Sequence, residues 1–180
     1  MILLAAFLLV GVGAISVSAS VDEFATSTTG KTKGKGTNVQ KLKMGSSTIE
    51  CTTVTGTGEV KTTKMTTHKE VLTYSGCSGF GVSIKVSPAD FEFNANGSAK
   101  LENQVVVSSE SLTCEVLIEP QTFASGLGYT NSSGKVTATA SVTGIHYLPT
   151  GGVCGGKEGT SGSYTGSIQG ELEGGTVEWT

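Results

Sequence analysis

From Ser46 to the C-terminus, apolar side chains recur at every second position, and Gly or Asn breaks the pattern at short intervals. Side chains alternate faces along a strand but follow a 3.6-residue period along a helix. The spacing therefore predicts strands, and no window carries the helical period. Leu112, Cys114, Val116 and Ile118 alternate with Thr113, Glu115 and Glu119. Val136, Ala138, Ala140 and Val142 alternate with Thr137, Thr139 and Ser141. Past Gly144 the apolar phase slips to Ile145 and Tyr147, which predicts a β-bulge at the glycine. Tyr164, Ile168 and Leu172 share a face with Gly166 and Gly170.

Two turns are legible to the residue. A three-residue loop Ala95-Asn96-Gly97, with Gly97 in the left-handed position, sets Phe93 opposite Ala99 and Phe91 opposite Leu101. It also sets Glu92 opposite Lys100, a favourable cross-strand pair. Near the end, Gly174-Gly175 as a two-residue turn pairs Leu172 with Val177 and Gly170 with Trp179, the single tryptophan. That register also opposes Glu171 to Glu178, a small penalty.

The first 45 residues have a different character. Ile2 to Val17 is uncharged and mostly apolar, and Val17-Ser18-Ala19 offers small residues for cleavage after Ala19. Residues 1–19 are expected to be a secretory signal peptide, although the usual basic n-region is missing. An uncleaved anchor is the alternative, but the run is slightly short for a span of about 20 residues. No second apolar run follows, so no membrane span is expected once the signal is removed. Residues 20–45 are expected to be a flexible tether, because residues 26–45 are mostly Thr, Gly, Lys and Ser with little to bury. Lys31, Lys33, Lys35, Lys41 and Lys43 make the tether positive, whereas 7 Lys against 13 acids make residues 46–180 negative. The tether would touch a polyanionic surface, stay solvated, or lie on its own acidic body.

Residues 46–180 then form one domain, and its apolar content is thin. Leu, Ile, Val and Phe make up about a fifth of the mature chain, near the limit for a self-sustaining core. Cys51, Cys77, Cys114 and Cys154 supply what the core lacks. An exported chain meets an oxidising compartment, and four cysteines there imply disulfides. A faint repeat, Cys followed by a Thr-rich strand, an apolar-x-Tyr, a Gly-rich turn and Cys, selects Cys51–Cys77 and Cys114–Cys154 from three connectivities. Loop closure is worth about 3.5 and 3.9 kcal/mol for these pairs. Metal binding by the cysteines fails on spacing, since gaps of 26, 37 and 40 residues contain no Cys-x-x-Cys.

Chemistry is sparse. His68 and His146 are the only histidines, and each reads as a surface imidazole. Gly-x-Ser-x-Gly and His-Glu-x-x-His are absent. Asp90 with Glu92, and Glu171 with Glu173, share strand faces, and read as solvated carboxylates rather than a glycosidase pair. Glu92, Asn94, Asn96 and Gly97 match the start of a calcium loop, but Lys100 and Asn103 occupy later ligand positions. No catalytic, metal or cofactor site is assigned. Asn96 and Asn131 are formal glycosylation acceptors. With 12 Lys and no Arg, no nucleic-acid partner is expected, because Arg is the best bidentate reader of phosphate and guanine.

The expected fold is an antiparallel all-β sandwich or flattened barrel of ten or eleven strands. The expected function is a secreted or cell-surface, non-enzymatic binding or structural module whose partner is a surface polymer or protein. Binding would sit on Phe123, Leu127 and Tyr129 of one loop and on Lys157 and Tyr164 of another. Two alternatives compete. A small hydrolase would gather at least two of Asp90, Glu92, Glu115, Glu119, His68 and His146 in one cleft. A closed barrel would instead carry an apolar ligand in its interior.

Overall fold

The computed structural model describes residues 21–151 and 158–180. The expected signal peptide and cleavage site, Cys154 and Lys157 lie outside the described residues. The fold is all-β and antiparallel, with a large sheet and a small one, and no helix among the described residues. Its strands are β1 (Phe24–Thr26), β2 (Gly30–Gly36), β3 (Gln40–Met44), β4 (Ser47–Val60), β5 (Lys64–Met65), β6 (Thr67–Gly79), β7 (Val82–Val86) and β8 (Ala89–Asn94). They continue with β9 (Ala99–Leu101), β10 (Val105–Ser109), β11 (Cys114–Ile118), β12 (Gln121–Phe123), β13 (Leu127–Ser132), β14 (Lys135–Thr150), β15 (Gly159–Leu172) and β16 (Val177–Trp179). Strands of two or three residues, such as β5 and β12, are too short to show a period, which is one reason the sequence predicts fewer.

The large sheet closes on itself. β4 pairs with β6, β6 with β7, β7 with β10, β10 with β11, β11 with β14 and β14 with β15. β15 then pairs with both β2 and β3, and each of these pairs with β4. The ring of hydrogen bonds therefore returns to its start, which leaves no open edge along it. The long strands run past this ring. β6 goes on to pair with β8, β8 with β9 and β9 with β12, while β13 lies on β14. The small sheet, β16-β1-β5, packs Phe24, Val177 and Trp179 against Tyr129 and Val136.

The Thr-, Gly- and Lys-rich segment is not a flexible tether. It forms β1, β2 and β3, and two of these are wall strands of the barrel. In β2 and β3, Thr32, Gly34, Gln40 and Met44 face inward, while Lys31, Lys33, Lys35, Lys41 and Lys43 face out. At Gly34 and Gly36 a side chain is missing because the interior leaves no room for one there. A Cβ on Gly34 would lie 2.6 Å from Ile168 Cδ1, and one on Gly36 2.7 Å from Val54 Cγ1. Outside, the lysines meet acids on or just past the flanking strands: Lys41 Nζ lies 2.7 Å from Glu50 of β4, and Lys33 Nζ 2.5 Å from Glu173, which follows β15. Exposed pairs of this kind add little stability each, but they let a lysine-rich strand lie between acidic neighbours.

The Phe91–Leu101 hairpin has the expected register, with Phe93 opposite Ala99, Glu92 opposite Lys100 and Phe91 opposite Leu101. Gly97 is left-handed at φ 84°. The bulge at Gly144 is present, since the β14–β15 register shifts between Thr143 and Ile145. The expected C-terminal hairpin does not form. Leu172 pairs with Thr32 of β2, while β14 occupies the other edge of β15. No edge remains for the last strand. β16 turns away and pairs with β1, setting Trp179 opposite Phe24. That choice also separates Glu171 from Glu178.

Candidate functional site

The closed ring surrounds an apolar cavity of about 100 Å³, bordered by Ile49, Val54, Leu72, Phe91, Val142 and Ile168. These residues come from five different strands, so the cavity exists only once the ring has closed. Its wall carries one polar cluster. The Tyr164 hydroxyl donates to Gln40 Oε1 at 2.5 Å and is hydrogen-bonded to Tyr74. The Gln40 amide donates to the Asn38 carbonyl at 2.8 Å and the Ser167 carbonyl at 3.1 Å, which ties β3 to β15. Gly166 makes this possible, because a Cβ there would fall 1.8 Å from Gln40 Oε1. Burial pushes the Tyr74 phenol up to about 12 and holds Tyr164 well above the usual tyrosine value. Both stay neutral at physiological pH, so the cavity presents hydroxyls and no charge.

Phe123, Leu127 and Tyr164 all border this cavity. They are strand residues facing inward, not loop residues facing a partner. Tyr129 is also inward and only 8 % exposed, with its hydroxyl donating to the Asn94 carbonyl at 2.9 Å. Lys157 lies outside the described residues. Sequence reasoning passed over Gln40, which sits in the segment taken for a tether. The outward lysines at Lys41 and Lys43 were the available sign that Gln40 and Leu42 lie on an inner face.

A second cavity of about 60 Å³ lies toward the small sheet, beside Phe24, Thr32, His68, Glu70, Phe93 and Tyr129. His68 is not a surface imidazole. Its Nε2 lies 3.2 Å from Thr32 Oγ1, and burial lowers its pKa. Glu70, which drew no attention in the sequence, is only 7 % exposed, and burial raises its carboxyl to about 7. A period-two pattern places Glu70 inward with Leu72, a signal that a charged residue on a core face should have supplied.

Of the six residues offered for a hydrolase, His68 lies on β6, Asp90 and Glu92 on β8, Glu115 on β11, His146 on β14, and Glu119 just past the end of β11. His146 lies 2.9 Å from Glu158, and Glu119 accepts from Gln104 at 2.7 Å. Glu92 lies 3.5 Å from Lys69. Glu171 and Glu173 are held by Lys135 and Lys33, each at 2.5 Å, which keeps both carboxyls below their usual range. Among the described residues no three His, Cys, Asp or Glu side chains are grouped to hold a metal. Asn96 and Asn131 are engaged in structure: Asn96 Oδ1 accepts from the Ser98 amide, and the Asn131 side chain brackets Trp179 through its N–H and carbonyl.

Cys51 and Cys77 form a disulfide between paired positions of β4 and β6, with Cα atoms 3.9 Å apart. Cys114 is disulfide-bonded as well. No helix of the described residues is long and apolar enough to cross a membrane. Comparison with known proteins gives no match to this chain from family models, curated sequences or solved structures.

Proposed function

We propose that this chain is a secreted or cell-surface, non-enzymatic β-barrel module that binds a small apolar ligand in its interior. The observation that carries this is the roughly 100 Å³ cavity, walled almost wholly by aliphatic and aromatic side chains, with one hydroxyl–amide cluster to orient what enters. Binding sites for small molecules commonly combine an apolar wall with few convergent polar groups. Apolar cavities of comparable size stay dry and take up small apolar molecules such as xenon. The volume suits a ligand of a few carbon atoms, or the end of a longer chain. Disulfide cross-linking of a lean core suits an oxidising exterior, where reductants would not open it.

Xenon is a direct probe. Methyl NMR of the disulfide-bonded protein under xenon pressure should show saturable shifts at Val54, Leu72, Val142 and Ile168. Ala140→Leu, which places a larger side chain at the cavity wall, should abolish them while the remaining spectrum is preserved. Shifts that grow linearly without saturation, or that persist unchanged in Ala140→Leu, would overturn the proposal.

A further inference from the structure

We infer that the smaller cavity is a binding site for a small organic ammonium ion, with Glu70 as its counter-charge and Phe24, Phe93 and Tyr129 as its aromatic walls. The inference does not depend on what fills the larger cavity.

Glu70 is the anchor. Its side chain is buried, points to the barrel interior and borders the cavity. Among the described residues no hydrogen bond or ion pair reaches its carboxylate. Buried carboxylates are normally paired, because an unpaired one is expensive to desolvate. The backbone nevertheless makes room for this one. A Cβ on Gly56 would lie 2.8 Å from Glu70 Cδ, and one on Gly34 3.1 Å from its Oε1. Two glycines on adjacent strands β2 and β4 thus form the seat under the carboxyl group.

The described residues supply no internal cation. Lys31, Lys33, Lys35 and Lys69 lie on the strands beside Glu70, but strand alternation sends all four to the outer surface. His68 faces inward on the same strand, yet its burial disfavours the imidazolium. Glu171, at the edge of the cavity, is paired with Lys135, and Tyr129 on β13 is held neutral by burial. The other inward groups around Glu70 (Thr32, Val60, Val136) carry no charge. A positive charge that satisfies Glu70 therefore has to arrive with a ligand.

The walls restrict what that ligand can be. A divalent metal ion takes six or more oxygen ligands in the calcium case, and this cavity offers a single carboxylate. Three aromatic side chains, with Phe24 and Tyr129 in edge-to-face contact at 5.1 Å, suit a cation that also has an apolar surface. A primary alkylammonium has both, and its N–H groups can donate to Glu70 and to Thr32 Oγ1. The volume limits it to a few heavy atoms.

Ethylammonium chloride is the probe, titrated calorimetrically into the disulfide-bonded chain at pH 7 and pH 8, with potassium chloride as the salt-matched control. Saturable heat above that control is expected. At pH 7 binding should also release part of a proton, because the ammonium selects the ionised form of a carboxyl that titrates near 7. Buffers of different ionisation enthalpy count that proton. Glu70→Gln keeps the side chain's shape and removes its charge, and should weaken binding by about tenfold or more and abolish the proton release. Three outcomes would overturn the inference: no saturable heat beyond the potassium control, unchanged affinity in Glu70→Gln, or wild-type binding at pH 7 with no proton released.

Discussion

Glu70→Gln should make this protein more stable, and only above about pH 4.5. The folded chain holds the Glu70 proton up to about pH 7, because burial without a partner disfavours the charge, whereas the unfolded chain releases it near 4.5. Below pH 4.5 both states are protonated and the carboxyl costs nothing. Between pH 4.5 and 7 the unfolded state ionises first, so stability falls as pH rises. Above pH 7 the penalty is complete. At about 1.4 kcal/mol per pH unit of separation, it amounts to about 3 kcal/mol. Glutamine cannot ionise and escapes it. His68 works in the opposite sense, since its lowered pKa costs stability as pH falls below 6.5, but it is present in both proteins and cancels from the difference. Urea unfolding followed by Trp179 fluorescence, at pH 4.5, 6 and 8, measures that difference. It should grow from near zero to about 3 kcal/mol in favour of the variant. A difference that is flat across pH, or that favours the wild type at pH 8, would refute the assignment of Glu70 as a buried, unpartnered acid.

Two further perturbations probe the frame. Removing the Cys51–Cys77 bridge by Cys51→Ala with Cys77→Ala should cost up to about 3.5 kcal/mol, the closure entropy of a 26-residue loop; unchanged urea midpoints would show that the core suffices without it. Trp179→Ala removes a ring 5.9 Å from Tyr129 and a 2.8 Å hydrogen bond to the Ala95 carbonyl, and should cost about 3 kcal/mol. Hydrogen exchange should then show β1 and β16 opening together, while the β4–β6 ladder keeps its protection.

The strands, the Gly97 turn and the Gly144 bulge were legible because each is a local matter. Period-two alternation needs only neighbours in the chain, and a left-handed turn needs only a glycine where the backbone demands one. The Cys51–Cys77 pairing was reached from a repeat, and it coincides with a register pair of adjacent strands. The C-terminal hairpin failed for a non-local reason. Gly174-Gly175 is a competent turn, but both edges of β15 were already taken by β14 and β2. Nothing within the last ten residues records that competition.

The lysine-rich segment is the clearest division between the two levels. Its odd-numbered lysines announced an outer face. Its inner face carried Thr, Gly and Gln, which look like nothing to bury. Only the closed ring shows that Ile168, Val54 and Glu70 project across the interior and fill the space those small residues leave. The same holds for both cavities. Composition and alternation determined a cross-linked, all-β chain. Closure of the ring decided which side chains converge, because a cavity depends on residues distant in sequence, and the single-strand pattern is blind to what stands opposite.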